Sequence, residues 1–184
     1  MDPFHVVQLA GDALTRCRQR IQQATCGHRG RSHDPLYKAR RTLLTGVDLL
    51  QDRQVARLEA LFADDDHDPV YATWSIYQRL VLAYRQEDKQ LGRWLAERVI
   101  DAVSAGGPPE LVELTRLGTT LQRRAADILA FFDHPGTSNG PTEAINGRLE
   151  HLRGIALGFR NLTHYVARSL LEAGGFRPQL HPRL

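Results

Sequence analysis

Residues 4–24 read FHVVQLAGDALTRCRQRIQQA, with apolar side chains at Val7, Ala10, Leu14, Cys17 and Ile21. Steps of three and four residues put these on one side of an amphipathic α-helix, where a strand would alternate every second residue. The same period recurs along the chain. It predicts helices over 36–46 (Leu36, Leu43, Leu44), 52–63 (Val55, Leu58, Leu61, Phe62), 69–85 (Val70, Trp74, Tyr77, Val81, Tyr84) and 88–104 (Leu91, Trp94, Leu95, Val99, Val103). Further helices are predicted over 109–132 (Leu111, Leu114, Leu117, Leu121, Ile128, Phe132), 141–153 and 161–173. Breaker-rich stretches, TCGHRGRSHDP, DDDHDP, SAGGPP, DHPGTSNGP and RGIALGF, fall between them. Alternating runs of β-branched and aromatic residues are scarce, so only the first few residues and IALGF are candidates for short strands. The expected fold is mainly α, with an extended tail over 175–184.

A chain of 184 residues is long enough for one domain with a real core. With 42% apolar and 24% charged residues the composition is that of a globular protein, and no window approaches the roughly 18 apolar residues of a membrane span. The opening MDPFHVVQLAGDAL carries no basic leader, which predicts a cytoplasmic location. Two cysteines, Cys17 and Cys26, are then expected as reduced thiols. Net charge is +3, with the basic residues gathered in HRGRSHDPLYKARR, at Arg123 and Arg124, and at Arg148, Arg153 and Arg160. That grouping allows an anionic partner.

Two other patterns suggest metals and are weak. Asp64, Asp65, Asp66 and Asp68 are carboxylates of the kind hard cations take, yet they lack the ligand spacing and the glycine of a calcium loop, so a solvated turn between helices is expected. Cys17, Cys26, His28 and His33 are of zinc-ligand type, but their intervals match no common finger and Cys17 lies on an apolar helix face.

The stretch PGTSNGPTEAINGRLEHLRG, residues 135–154, is the richest in chemistry. Pro141 suits a first helical turn, Ser138 or Asn139 suits a cap, and the helix then opens near Glu143. Ile145, Leu149 and Leu152 share its apolar side, while Glu143, Asn146, Glu150 and Arg153 share a polar one. A first-turn carboxylate is favourable with the helix dipole for stability alone. Glycines at 136, 140, 147, 154 and 158, which permit close backbone approach, and Arg148, Arg153 and Arg160, which attract phosphates, favour a carboxylate holding a divalent metal beside a nucleic-acid backbone.

The run TSNGPTEAINGRLEHLRGIALGFRNLTHYVARSLLE resembles the carboxyl end of insertion-sequence transposases of the DDE class, in particular the ISL-three family. The shared features are Asn-Gly-x-x-Glu, a second Asn-Gly at 146–147, a basic stretch and Gly-Phe-Arg-Asn at 158–161. By this resemblance Glu143 is the third acid of the catalytic triad. The family also places an Asp before a Phe-His pair at the end of a core strand, and Asp2, Phe4 and His5 supply that pattern. Asp2 then corresponds to the second acid. Residues 36–134 correspond to the helical insertion such enzymes carry, 1–24 to the strand end and following helix, and 135–174 to the Glu-bearing and last helices. The implied fold is therefore mainly α: a helical insertion plus a remnant of a ribonuclease-H-like α/β core, with most of its sheet missing.

The resemblance implies two-metal phosphodiester chemistry with Mg2+ or Mn2+, held by Asp2 and Glu143. It further implies that Asn139 and Asn146 orient water or phosphate, and that Lys38, Arg40, Arg41, Arg148, Arg153 and Arg160 make salt-sensitive DNA contacts. No position before Asp2 matches the first acid, so the chain alone is expected to be catalytically incomplete. Loss of the sheet is expected to leave Val6, Val7 and Leu9 uncovered and to favour a homo-oligomer, or a mixed oligomer with a complete transposase. Two other readings stand beside this one: a standalone helical DNA-binding or transposase-inhibiting module, and a helical interaction protein without a nucleic-acid role.

Overall fold

The first helix starts at Asp2, whose extended backbone (φ −67°, ψ 137°) and side chain cap it: Phe4 N–H donates to Oδ1 at 2.8 Å, and Pro3 occupies the position where a missing donor costs nothing. The computed structural model describes residues 2–106 and 108–134, all within the compact unit Met1–Gly136; a second unit comprises Thr137–Leu184. Helix α1 (Pro3–Cys26) ends at Gly27, whose left-handed φ of 72° lets its N–H bond Gln23 O at 3.0 Å. The first residues are thus a cap and a helical turn, and the short strand allowed by their sequence is not formed.

Among the described residues six more α-helices follow: α2 (Pro35–Lys38), α3 (Asp52–Phe62), α4 (Asp68–Arg85), α5 (Lys89–Ser104), α6 (Val112–Arg123) and α7 (Ala125–Asp133). The same residues include no strand. α1 packs along α4 and also meets α6, α5 lies against α4, and α6 and α7 both cover α5. The main core runs through the bundle, with Val6, Leu14, Leu36, Leu43, Leu80, Leu121 and Ile128 all 2% exposed or less, and a smaller cluster gathers Ala83, Ala96 and Phe132. The seam of α1 passes through Val6, Ala10, Ala13, Leu14, Cys17 and Ile21. Val6, expected to be uncovered, is completely buried against the bundle, and Val7 and Leu9 are half-buried beside the core. Neighbouring helices supply the cover that the resemblance assigned to a sheet.

Two predicted helices are broken, each for a visible reason. The helix expected over 36–46 stops after Lys38 and continues as 3-10 turns at Thr42–Leu44 and Val47–Leu49. Side chains of α4 take over the backbone groups: Tyr77 Oη donates to Leu44 O (2.8 Å), Gln78 Nε2 donates to Thr45 O (2.8 Å), and Val47 N–H donates to Gln78 Oε1 (3.1 Å). Backbone groups satisfied from outside have no need of a continued helix. The helix expected over 109–132 divides at Arg124 (φ −108°, ψ 15°). The break lets Leu121 and Ile128 both reach the core and both segments lie on α5.

Close approach in the bundle depends on glycine. A Cβ at Gly118 would stand 2.3 Å from Val103 O, and one at Gly92 would stand 2.7 Å from Ala83 O. α6 and α5 thus sit nearly backbone to backbone on their neighbours. The acidic turn is structural: Asp64 Oδ1 accepts from Asp66 N–H (3.1 Å), and the buried His67 ring bonds Leu61 O through Nδ1 (2.7 Å).

Candidate functional site

Asp2 stands at the open end of α1, close enough to Tyr84 at the end of α4 for its charge to act on the phenol. Its Oδ1 accepts the Phe4 cap bond. Phe4 is 66% exposed and meets the His5 ring edge-on at 5.8 Å. Tyr84 in turn stacks on Phe132 (5.1 Å between centroids) and meets Phe131 edge-on (5.4 Å), closing this end of the bundle with an aromatic wall. The Tyr84 hydroxyl is buried with no hydrogen-bond partner, and burial, assisted by the Asp2 charge, pushes its pKa far up. The phenol is therefore a neutral group at the Asp2 end of the bundle, at a position whose sequence spacing marks it only as core.

The predicted cations separate into two kinds. Lys38 and Arg41 are exposed. Lys38 borders a cavity of about 340 Å3 together with His33, Arg57, Asp64 and His67. Arg40 is spent locally: its guanidinium lies 4.1 Å from the Tyr37 ring centroid and donates to Tyr37 O at 2.9 Å. Glu143, Asn139, Asn146, Arg148, Arg153 and Arg160 lie outside the described residues. Among the described residues no three of His, Cys, Asp and Glu come together as metal ligands, and no helix is long and apolar enough to cross a membrane.

A charged clamp joins α1 to α6 that sequence reading missed. Arg20 on α1 donates from Nε and Nη2 to the two oxygens of Glu113 on α6, both at 2.9 Å, and from Nη2 to Glu110 O at 2.8 Å. Glu113 is 8% exposed. Burial pushes its carboxyl up, but the Arg20 hydrogen bonds and the surrounding donors and charges prevail, and its pKa lies below the ordinary value. Neighbouring Cys17 is a free, buried thiol pushed up by burial, while Cys26 is free and exposed. The sequence signal for the clamp is positional: Arg16, Gln19, Arg20 and Gln23 form a polar stripe at helical spacing on α1, away from its apolar seam.

Asp2, which the resemblance to DDE transposases sets at the end of a core strand, caps a helix instead, with Phe4 and His5 in its first turn. The family itself is shown by comparison with known families: the ISL3-type DDE family described as transposases matches residues 1–169, and the chain belongs to that family. It is also similar to the transposase for insertion sequence element IS1557 of Mycobacterium tuberculosis, in strains CDC 1551 / Oshkosh and ATCC 25618 / H37Rv. Each is 27% identical over 208 aligned positions that take in 100% of this chain and 45% of the relative. The chain thus spans less than half the length of these relatives. No solved structure matches it.

Proposed function

We propose that this chain is part of a transposase that cleaves and joins DNA phosphodiester bonds, with Asp2 and Glu143 as two of the acids that hold its divalent ions. The observation that carries the reading is the family match over residues 1–169, which takes in both acids in one unbroken stretch. On this reading residues 36–134, with most of α2 and all of α3 to α7, are the helical insertion between them.

Asp2 suits the role chemically. One oxygen is used by the cap, and the carboxylate is an oxygen donor of the kind Mg2+ and Mn2+ prefer. When bound, such ions activate water or a 3'-hydroxyl and stabilise the leaving oxygen. The protein's own part is to fix Asp2 through the Phe4 bond and to attract phosphates through Lys38, Arg41, Arg148, Arg153 and Arg160. Asn139 and Asn146 are assigned to orienting water or phosphate beside Glu143.

Titration of the full chain with Mn2+ tests the assignment. Binding is expected to weaken in both Asp2→Asn and Glu143→Gln; wild-type affinity in both variants would refute it. On this reading the chain holds two of the three acids, Asp2 and Glu143, so we expect no strand transfer from the chain alone. Metal-dependent joining of a donor end to target DNA that disappears in Glu143→Gln would overturn that expectation while supporting the site.

A further inference from the structure

We propose that the cleft formed by Arg16, Arg20 and Arg29 is a second contact surface for the backbone of duplex DNA, separate from Asp2 and from the DNA contacts assigned to Lys38, Arg40 and Arg41. This rests on the reading of the chain as a DNA-acting transposase and adds a face to it.

The cleft holds about 480 Å3 and is lined by Arg16, Gln19, Arg20, Gln23, Ala24 and Arg29. Among the described residues no carboxylate lines it. Arg16 and Arg29 are exposed and pair with no carboxylate among the described residues, so their donors are available to a ligand. Arg20 is held differently: its inner edge is fixed by Glu113 and Glu110 O, and among the described residues Nη1 has no partner, at a side chain still 37% exposed. A guanidinium held from behind loses little freedom when it meets a phosphate in front.

The loop that supplies Arg29 is built in the same way. Gly27, at φ 72°, turns the chain at the end of α1, and Gln23 Nε2 donates to Gly27 O at 2.7 Å. Gly30, at φ 124°, faces the Tyr37 ring and bonds His28 Nδ1 through its N–H at 3.2 Å, while the buried Asp34 accepts from Arg31 N–H. Arg29 therefore projects from a turn braced on both sides.

The shape selects among anions. A small phosphate compound needs an enclosed site that surrounds it, whereas this cleft is open to solvent. From Arg16 to Gln23 it follows seven residue steps of α1, a rise of about 10 Å. Backbone phosphates of one DNA strand repeat every ~3.4 Å along the axis, so a stripe of that length meets several. Arginine and amide donors that reach phosphate without a base-reading element predict binding that is insensitive to sequence.

The test is fluorescence anisotropy of the full chain with a labelled duplex of arbitrary sequence, between about 50 and 200 mM KCl. Arg16→Gln and Arg29→Gln are the variants of choice, because neither disturbs the Arg20 clamp. Each is expected to lower the slope of log K against log salt by about 0.9, which makes the loss of affinity over that salt range about 3.5-fold smaller per contact removed. Unchanged melting curves confirm that the variants fold. Wild-type slopes in both variants, together with a reduced slope in Lys38→Gln or Arg41→Gln, would sink the cleft and leave the transposase reading standing. A wild-type chain that ignores duplex at the low-salt end would sink both.

Discussion

Replacing Glu113 by Gln isolates the most clearly built polar interaction in the bundle. The substitution keeps the shape and removes the charge that Arg20 addresses with two 2.9 Å bonds. Fully buried pairs lose about 3–5 kcal/mol when one partner is removed, but the Arg20 end is 37% exposed and can turn to water. The appropriate scale is that of hydrogen bonds to a charged group, about 1.5–3 kcal/mol. For a chain of this size each kcal/mol moves Tm by about 2–4 °C, so a fall of about 3–12 °C is expected at pH 7. The pH dependence has a definite sign. The folded Glu113 pKa is depressed, so the unfolded chain binds more protons; the contribution is complete above the unfolded carboxyl pKa and is lost as pH falls through the folded one. Melting followed by circular dichroism from about pH 7 to about pH 3 should show wild type and Glu113→Gln converging in acid. A cycle with Arg20→Gln should show coupling between the two sites. Additive effects, or a Tm difference that is independent of pH, would refute the reasoning.

Gly118→Ala is expected to destabilise by about 1–3 kcal/mol despite alanine's better helix propensity, because its methyl would stand 2.3 Å from Val103 O; an unchanged Tm would show that α5 and α6 can separate freely. Tyr84→Phe removes a buried hydroxyl that has no partner, and denaturant unfolding should show stability equal to wild type or raised by up to about 1 kcal/mol; a clear loss would mean that the hydroxyl is hydrogen-bonded. Arg18 is 5% exposed with Nη1 unpartnered, and burial followed by the Arg40 charge lowers its pKa. Arg18→Met should therefore hold or raise Tm, and a fall of more than about 4 °C would point to an interaction holding the guanidinium.

Where the local signal is strong, the helices are legible in the sequence. Those at Pro3–Cys26, Asp52–Phe62, Asp68–Arg85 and Lys89–Ser104 fall within a few residues of their predicted spans, because an apolar seam and a cap such as Asp2 or Asp88 are properties of the segment itself. Asp2 stands out as a candidate by its Asp-x-Phe-His setting, and the basic residues by their grouping. The apolar stretch beginning at Val6 is equally evident, but nothing local to it names the helices that cover it.

Period and capping determined by themselves that the described residues are mainly helical, and the motifs at Asp2–His5 and Asn139–Asn161 carried the resemblance to transposases. Only the tertiary structure decided where helices stop without a breaker: after Lys38, because Tyr77 and Gln78 capture the following backbone, and at Arg124, because both halves must reach α5. The pairing of Arg20 with Glu113 across 93 residues belongs to the same class. Periodicity reports only which face of a segment is apolar, whereas hydrogen bonds and ion pairs between segments depend on which faces packing brings within about 3 Å of each other.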